Sequence, residues 1–428
     1  MPRRVVVTGV GLLSPLGAGC DAHWDALLAA RPAIRKLDRL SAAGFPVDVA
    51  AEVPAEALAA CLPRLPRKQL KVYNRTSTLA MAAALLAAED AGLAAPVPVP
   101  ERAGIVLATF LIPYPIRDLI RLLPQMEQEE APGEIDMGRG LRLAMTGLNP
   151  LDLSLKVVPN LTAGHIAIQF ALKGFCRTVS DGATGGMQAI GQAAALIREG
   201  ELDIAFCGGA EASLEEFIFA DLCASDLLAR PEDVPAPSCR PFGLGRAGLV
   251  AGEGAAVLVL EAAEHAAARG ARARAEVRGF GAASGDASVP GIRESCTRAM
   301  SLALAEAGSP RVDLVSANGE SSAVNDEAEA AAIRARLPDL AEAGGILAPK
   351  AAHGMLFSAA APVETASAIL ALDHGIVPPT PDGWASDPAC GLRLAGPAPR
   401  PARLRTALVN ALGTFGEAVS LVVARGAR

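Results

Sequence analysis

An apolar strand runs directly into a small-residue helix in the stretch Thr178-Val179-Ser180-Asp181-Gly182-Ala183-Thr184-Gly185-Gly186-Met187-Gln188-Ala189-Ile190-Gly191. Such a strand–turn–helix places one residue at the helix N-terminus. There the helix dipole lowers the pKa of a thiol, and backbone N–H groups can stabilise an oxyanion. Gly182 occupies the tip of this turn. The stretch therefore predicts an α/β protein that has the turn of a nucleophilic active site but lacks the nucleophile.

The bulk composition excludes several classes of function. The chain of 428 residues has 39 Lys and Arg against 46 Asp and Glu, a formal net charge of −7, which argues against nucleic acid as the main partner. No apolar stretch reaches the roughly 18–20 residues of a membrane span, and the N-terminus does not read as a signal peptide. The eight scattered Cys, without C-x-x-C spacing, fit the thiols of a reducing cytoplasm. We expect a cytoplasmic protein without membrane or nucleic-acid partners.

The order of predicted elements indicates α/β layers. Short runs of apolar and β-branched residues predict strands at Arg4–Thr8, Gly104–Ala108, Ile204–Gly209, Ala256–Glu261, Ala275–Phe280, Leu314–Asn318, Ala407–Asn410 and Ala418–Ala424. Ala-rich stretches predict helices at Ser77–Ala91, Met187–Glu199, Glu294–Ala307, Asp326–Arg336 and Ala359–Leu372. Two halves of similar order, 1–262 and 263–428, indicate an internal duplication. The polar segment from about Pro113 to Pro150, with a helix over Pro124–Met145, is predicted to lie outside this core.

Five motifs together resemble those of the β-ketoacyl synthases, the condensing enzymes of fatty-acid and polyketide synthesis. They are Val5–Gly11 with Ser14-Pro15-Leu16-Gly17, Pro159-Asn160 with Ala163-Gly164, the stretch around Gly182, Gly208–Glu211, and Cys239–Phe242 through Arg246 to Gly252–Ala255. Their order and spacing match the family over essentially the whole chain. The resemblance implies an α/β, thiolase-like fold in which two duplicated βαβαβαββ halves form an αβαβα arrangement of layers.

The positions that match the family's catalytic residues have changed. The family carries a Cys at Gly182 and histidines at Asn318 and Met355, and its terminal Phe-Gly-Phe-Gly-Gly loop reads Leu412-Gly413-Thr414-Phe415-Gly416 here. Condensation needs a thiolate to hold the acyl chain and two imidazoles to assist decarboxylation. Glycine offers no nucleophile, and an asparagine side chain cannot become cationic near neutral pH. We expect no catalytic residues for condensation, no metal and no cofactor.

The resemblance also indicates residues with a structural role. Lys350 and Glu329 match a buried ion pair behind the family's site, and Asn410 begins the last loop as it does in the family. Breaking a buried pair costs about 3–5 kcal/mol, which is a sufficient reason to keep both partners. Asn325 and Asp326 stand where they could cap a helix N-terminus.

A ketosynthase-like chain that lacks the catalytic residues resembles the chain length factor of type II polyketide synthases. That subunit is the inactive homologue that forms a heterodimer with an active ketosynthase and helps to set the length of the acyl chain. Glycine at position 182 favours an aryl-polyene or another highly reducing system. Two alternatives stay open: a stand-alone malonyl-thioester decarboxylase or acyltransferase with a rewired site, and a homodimeric acyl-binding protein.

Two groups of residues are candidates for contacts with the acyl chain and with the acyl carrier protein. The candidates for lining the tunnel are Phe110, Leu111, Tyr114 and Met137. A basic concentration matches a segment that helps to dock the acidic carrier in the family, although the carrier could also dock mainly on the partner; it comprises Arg67, Lys68 and Lys71, with Arg64 and Arg75 beside them.

Four further residues invite a chemical role, and each has a simpler explanation. His353 and His165 are expected to be packed core histidines, and Cys176 a buried thiol away from the helix N-terminus. Asp181 is expected to cap the helix that follows Gly182.

Overall fold

The computed structural model describes residues 2–111, 113–114, 116–128, 133–147, 155–230, 239–381 and 385–426. The strands are β1 Val5–Ser14, β2 Gly17–Ala18, β3 Ile34–Lys36, β4 Val49–Ala51, β5 Ala103–Ala108, β6 Cys176–Val179, β7 Ile204–Glu211, β8 Gly254–Ala262, β9 Ala275–Ser284, β10 Leu314–Ser316, β11 Ile346–Leu347, β12 Ile376–Val377, β13 Arg400–Pro401, β14 Thr406–Leu412 and β15 Glu417–Arg425.

The α-helices are α1 Gly19–Leu28, α2 Asp38–Ala42, α3 Ala55–Cys61, α4 Arg75–Asp90, α5 Ile116–Met126, α6 Met137–Gly147, α7 Asn160–Phe170, α8 Gly185–Arg198, α9 Glu216–Ala224, α10 Ala263–Ala268, α11 Val289–Glu306, α12 Ala323–Arg336, α13 Pro338–Ala343, α14 Lys350–His353 and α15 Ala360–His374. Short 3₁₀ turns lie at Leu62–Arg64, Leu70–Val72, Pro100–Arg102, Gly182–Thr184 and Phe357–Ala359. The strands and the Ala-rich helices predicted from the sequence are all present.

The sheet repeats one strand order in the two halves of the chain. The first half runs β6-β5-β7-β8-β1, and the second runs β11-β10-β14-β15-β9. In each half the first three strands are parallel to one another and the last two follow antiparallel. A short antiparallel contact between β1 and β9, at Val5–Val7, joins both series into one continuous path. The duplicated order is therefore that of a thiolase-like fold, as the sequence predicted. The division of the chain at 262/263 stays a prediction.

Helices form three layers around the two sheet halves. The middle layer contains α8 and α15, and α15 is buried over Ala360–Leu372 because sheet strands pack on both of its sides. Helices α4 and α7 cover the outer face of the first half, while α11 and α12 cover that of the second. This is the αβαβα arrangement. It places the N-terminus of α8 beside the first turn of α15, in the interior of the molecule.

The same close approach of helix to strand occurs in both halves. A Cβ built on Gly9 or Gly11 of β1 would lie 2.2 or 1.9 Å from a carbonyl oxygen of α4, and a Cβ on Gly279 or Gly281 of β9 would lie 2.0 or 2.2 Å from one of α11. Only glycine leaves room for this contact, because real Cβ atoms do not approach within 3.0 Å. The paired glycines therefore fix how closely each outer helix packs on its sheet.

The segment from about Pro113 to Pro150 differs from the prediction of one helix over Pro124–Met145. Pro124 lies inside α5, and a bridge between Glu127 and Ile135 separates α5 from α6. The prediction of a single helix was wrong, because the polar residues between Met126 and Met137 break the helical run. The described residues of this segment lie outside the two-half sheet, as expected.

We predict that Gly11→Ala and Gly281→Ala each destabilise the protein by about 1–3 kcal/mol, because the added methyl group overpacks a helix–strand contact. Chemical denaturation measures the change. The matched control is Gly164→Ala in α7, where a built Cβ meets nothing within 4 Å. Equal stability of all three variants would contradict the role given to these glycines.

Candidate functional site

The turn after β6 presents a bare tip. Gly182 has a φ of +56°, the left-handed region that glycine adopts without strain, and a 3₁₀ turn at Gly182–Thr184 leads into α8. The start of α8 packs tightly, since a Cβ on Gly186 would lie 2.2 Å from the carbonyl oxygen of Ser358. A Cβ built on Gly182 meets nothing within 4 Å. A side chain at position 182 would therefore point into open space.

That open space is a cavity of about 840 Å³. Gly182 and Met355 both line it, and so do Phe357 and the loop Leu412–Phe415. The described residues of its wall include neither a cysteine nor a histidine. The turn at Gly182 (the elbow), the turn at Met355 and the terminal loop therefore surround one cavity, while Asn318 lies behind its wall.

The side chain of Asn318 makes three hydrogen bonds. Its Nδ2 donates to Glu320 Oε2 (3.1 Å), and its Oδ1 accepts from Lys350 Nζ (3.2 Å) and from the backbone N–H of Leu412 (3.1 Å). Its own backbone N–H donates to Glu329 Oε1 (2.8 Å). Asn318 is buried. It therefore joins the end of β10 to the terminal loop.

The predicted bridge between Lys350 and Glu329 was wrong in its partner. Lys350 Nζ lies 2.7 Å from Glu364 Oε1 and also donates to the carbonyl oxygen of Asn318 (2.6 Å). Glu329 instead accepts the backbone N–H groups of Asn318 and Gly319, and the Nδ2 of Asn410 (3.0 Å). Burial raises the pKa of Glu329, although its hydrogen bonds and the Lys350 charge act to lower it. Lys350, Glu364, Glu329 and Asn410 are all buried. Glu364 lies in α15, a helix that the sequence analysis did not connect to the site.

The expected helix caps at Asn325 and Asp326 were also wrong. Ser322 caps α12 by accepting the N–H of Asn325. The Asp326 carboxylate accepts the backbone N–H groups of Phe242 (2.7 Å) and Glu320 (2.9 Å), because the chain folds over it from two directions. Asp326 therefore fixes the loop that carries Glu320 rather than the end of a helix.

Sequence reasoning missed two buried carboxylates at the cavity. Glu320 lines the cavity, and Glu211 lies behind Phe110 and Leu111. Glu211 accepts the Oγ1–H of Thr109 (2.9 Å) and the N–H groups of Phe110 and Leu111 (3.2 Å each). Burial raises the pKa of Glu211 to about 7, against the hydrogen bonds, which lower it. The sequence signals for Glu211 were its position at the end of a buried strand and its place in the motif Gly208–Glu211.

The tunnel candidates divide into two groups. Phe110 and Leu111 line the cavity, and the ring of Phe110 lies 6.0 Å from that of Phe357. Tyr114 is half exposed and packs edge-on against Phe217 at 5.3 Å. Met137 is 72% exposed at the start of α6. Only the first two candidates stand in this chain's own cavity.

The predicted basic concentration is smaller than the sequence suggested. Arg67, Lys68 and Lys71 are exposed. Arg64 pairs with Glu89 (2.7 Å), and Arg75 is turned inward to the buried carboxylate of Glu253. The exposed patch therefore consists of Arg67, Lys68 and Lys71.

The remaining candidates have packing roles, with two corrections. His353 is buried outside the cavity wall; burial lowers its pKa to about 3, and its Nδ1 bonds to the carbonyl oxygen of Gly354 (2.8 Å). His165 packs against Tyr73 at 4.6 Å. Cys176 is exposed rather than buried, because it begins the edge strand β6. Asp181 makes no side-chain cap to the turn at Gly182–Thr184 and lines the cavity instead.

The described residues lack two further features. They contain no cluster of three or more His, Cys, Asp or Glu that could hold a metal ion. None of their helices is both long enough and apolar enough to cross a membrane.

The geometry defines a protein of the thiolase-like ketosynthase class, and the comparisons identify the family. The pattern of the β-ketoacyl synthase N-terminal domain matches residues 2–266, and that of the C-terminal domain matches 274–383. The chain belongs to the β-ketoacyl synthase family.

Three similar proteins come from polyketide synthesis. The tetracenomycin polyketide synthase ketoacyl synthase alpha subunit of Streptomyces glaucescens is 32% identical, over 99% of this chain and 97% of that protein. The ishigamide ketosynthase/chain length factor has a TM-score of 0.81 and 30% identity, over 99% of this chain and 100% of the other. The AntDE:AntF structure, a type II acyl carrier protein in complex with its ketosynthase, has a TM-score of 0.81 and 25% identity, over 99% and 100%.

We predict that the free energy of unfolding falls as the pH rises from about 4.5 to about 7, through Glu211. In this window the folded protein keeps a proton on Glu211, whereas the unfolded chain has lost it. Rising pH therefore favours the unfolded chain. The loss is up to about 3 kcal/mol. Chemical denaturation at pH 5 and pH 8 measures it.

The variant Glu211→Gln should remove this part of the pH dependence, because glutamine keeps a carbonyl acceptor and does not titrate. The matched control is Glu199→Gln, at an exposed position after α8. An unchanged difference between pH 5 and pH 8 in Glu211→Gln would show that Glu211 is ionised throughout.

Proposed function

We propose that this chain is a catalytically silent, ketosynthase-like chain length factor that forms a heterodimer with an active ketosynthase and helps to shape the tunnel for the growing polyketide. The observation that carries the proposal is Gly182, a bare residue facing an 840 Å³ cavity at the position of the family's nucleophile. An intact cavity with an empty tip can hold or limit a chain but cannot form a thioester.

The state of the other two catalytic positions supports the proposal. Asn318 occupies the place of the first histidine, and its amide is held by Glu320, Lys350 and Leu412, so its position is fixed by these bonds, and an amide cannot supply the imidazolium of a histidine. Met355 occupies the place of the second and offers only a weak thioether acceptor. The nearest alternative base in sequence, His353, is buried elsewhere.

A ketosynthase partner and an acyl carrier protein are proposed as the binding partners. The ishigamide structure is a ketosynthase/chain length factor, and the AntDE:AntF structure is a ketosynthase with its acyl-carrier protein. The edge strand β6 leads into the elbow and carries the exposed Cys176. Its free edge can pair with a strand of the partner, which would bring the two cavities close together.

We predict that Phe110→Ala and Leu111→Ala lengthen the product of the reconstituted pair by at least one two-carbon unit, because each removes volume from the cavity wall. Mass spectrometry of the released chains measures the length. The matched control is Leu302→Ala, an exposed leucine on α11. Product lengths that do not change would reject the assignment of this cavity to the tunnel.

The absence of catalytic activity is tested with the purified chain. The purified chain alone, incubated with acyl- and malonyl-carrier thioesters, should neither gain a covalent acyl group nor consume the malonyl group. An adduct, or release of carbon dioxide, would reject the proposal in favour of a stand-alone acyltransferase or decarboxylase.

The exposed patch of Arg67, Lys68 and Lys71 is proposed to contribute to docking of the carrier. We predict that the double variant Lys68→Glu and Lys71→Glu weakens carrier binding about threefold or more at low ionic strength, since exposed charge pairs each contribute about 0.2–1 kcal/mol and salt screens them. The matched control is Arg293→Glu with Arg298→Glu, which makes the same charge change on the exposed side of α11. Equal binding by both double variants would place the carrier entirely on the partner.

A further inference from the structure

The cavity at Gly182 is lined by acidic side chains. Its described wall carries four carboxylates, Asp181, Asp221, Glu320 and Glu417, and no lysine, arginine or histidine. The nearby Lys350 lies behind Asn318, and its charge is matched by Glu364 at 2.7 Å. The wall therefore presents a negative potential to anything that enters.

Glu320 is the fixed charge in this wall. It is 6% exposed, and its two oxygens accept the amide groups of Asn318 (3.1 Å) and Asn325 (2.6 Å). Neutral amides orient a carboxylate without cancelling its charge. A second anion next to Glu320 would be repelled, because like charges in a buried region are poorly screened from each other.

One backbone donor in the terminal loop that could attract an anion already binds a carboxylate of the protein. The N–H of Phe415 donates to Glu417 Oε2 (3.0 Å), so this carboxylate occupies the terminal loop. Asp181 stands at the beginning of the turn into α8, where the helix dipole favours negative charge. Glu417 therefore occupies a place where a ligand's carboxylate would be stabilised, and Asp181 adds negative charge near the start of α8 without capping the turn.

The rest of the wall combines uncharged polar side chains with an apolar surface that suits a hydrocarbon chain. Its volume of about 840 Å³ lies within the range of small-molecule pockets, roughly 300–1,000 Å³. The apolar lining consists mainly of Phe110, Leu111, Leu222, Leu249, Met355 and Phe357. Each buried methylene of a ligand gains about 0.8 kcal/mol from such surroundings.

We propose that this cavity accepts an uncharged aliphatic chain and rejects carboxylates, including the malonyl group of an extender unit. The inference rests on the proposed function, because it names the part of the product that the silent subunit would admit: the apolar acyl chain delivered by the partner. A malonyl arm would be turned away from this cavity and would be left to the partner's site.

Equilibrium binding to the purified full chain tests the proposal with two probes that share a tail, 1-decanol and decanoate, at pH 8. Isothermal titration calorimetry should give a dissociation constant for decanol at least tenfold lower than that for decanoate. The double variant Asp181→Asn and Glu417→Gln should narrow the ratio to about threefold or less. Both substitutions keep a carbonyl oxygen, so Phe415 retains its acceptor.

Two further variants locate the binding and control for charge. Leu111→Trp, which fills the cavity, should abolish decanol binding, whereas Glu199→Gln, outside the cavity, should leave the ratio unchanged. Decanoate binding as tightly as decanol, no binding of decanol, or decanol binding that survives Leu111→Trp would each overturn the proposal. Decanol selectivity combined with unchanged product lengths for Phe110→Ala would instead reject only the proposed function.

Discussion

The site depends on one buried cation, Lys350. Its ammonium group holds the carbonyl oxygen and the side chain of Asn318 and pairs with Glu364, so it connects the end of β10 with α14 and α15. Through Asn318 the contact reaches Leu412 in β14, and through Glu329 it reaches Asn410. The buried ammonium group of Lys350 needs these partners, because an unpaired buried ion costs several kcal/mol. The network therefore keeps the walls of the cavity in place without any catalytic group.

Under the proposed function, this network would preserve the cavity in the absence of the condensation reaction. The elbow at Gly182 keeps its left-handed turn and its packing against Ser358, while its side chain is absent. Around it the wall carries the carboxylates of Glu320, in the loop after β10, and Glu417, at the start of β15. Under the proposed function the cavity need not stabilise an anion, which is compatible with this negative charge.

The sequence predicted the helices and strands well because their signals are local. The glycine-ended apolar runs and the Ala-rich helices were all found, and the match of five motifs gave the family and the thiolase-like fold. Apart from the helix predicted over Pro124–Met145, which is two helices, the errors concern partners and exposure. Lys350 pairs with Glu364 instead of Glu329, Asp326 holds backbone N–H groups instead of a helix end, and Cys176 is exposed at a sheet edge.

The sequence by itself determined which side chains are missing, since a glycine at position 182 lacks a nucleophile in any fold. Only the tertiary structure decided what surrounds that position. Glu211, Glu320 and Glu417 are far apart in the chain and meet at one cavity or just behind its wall because α8 and α15 are sandwiched between the two sheet halves. The charge and volume of a cavity are sums over distant residues, and no local pattern in the chain records such a sum.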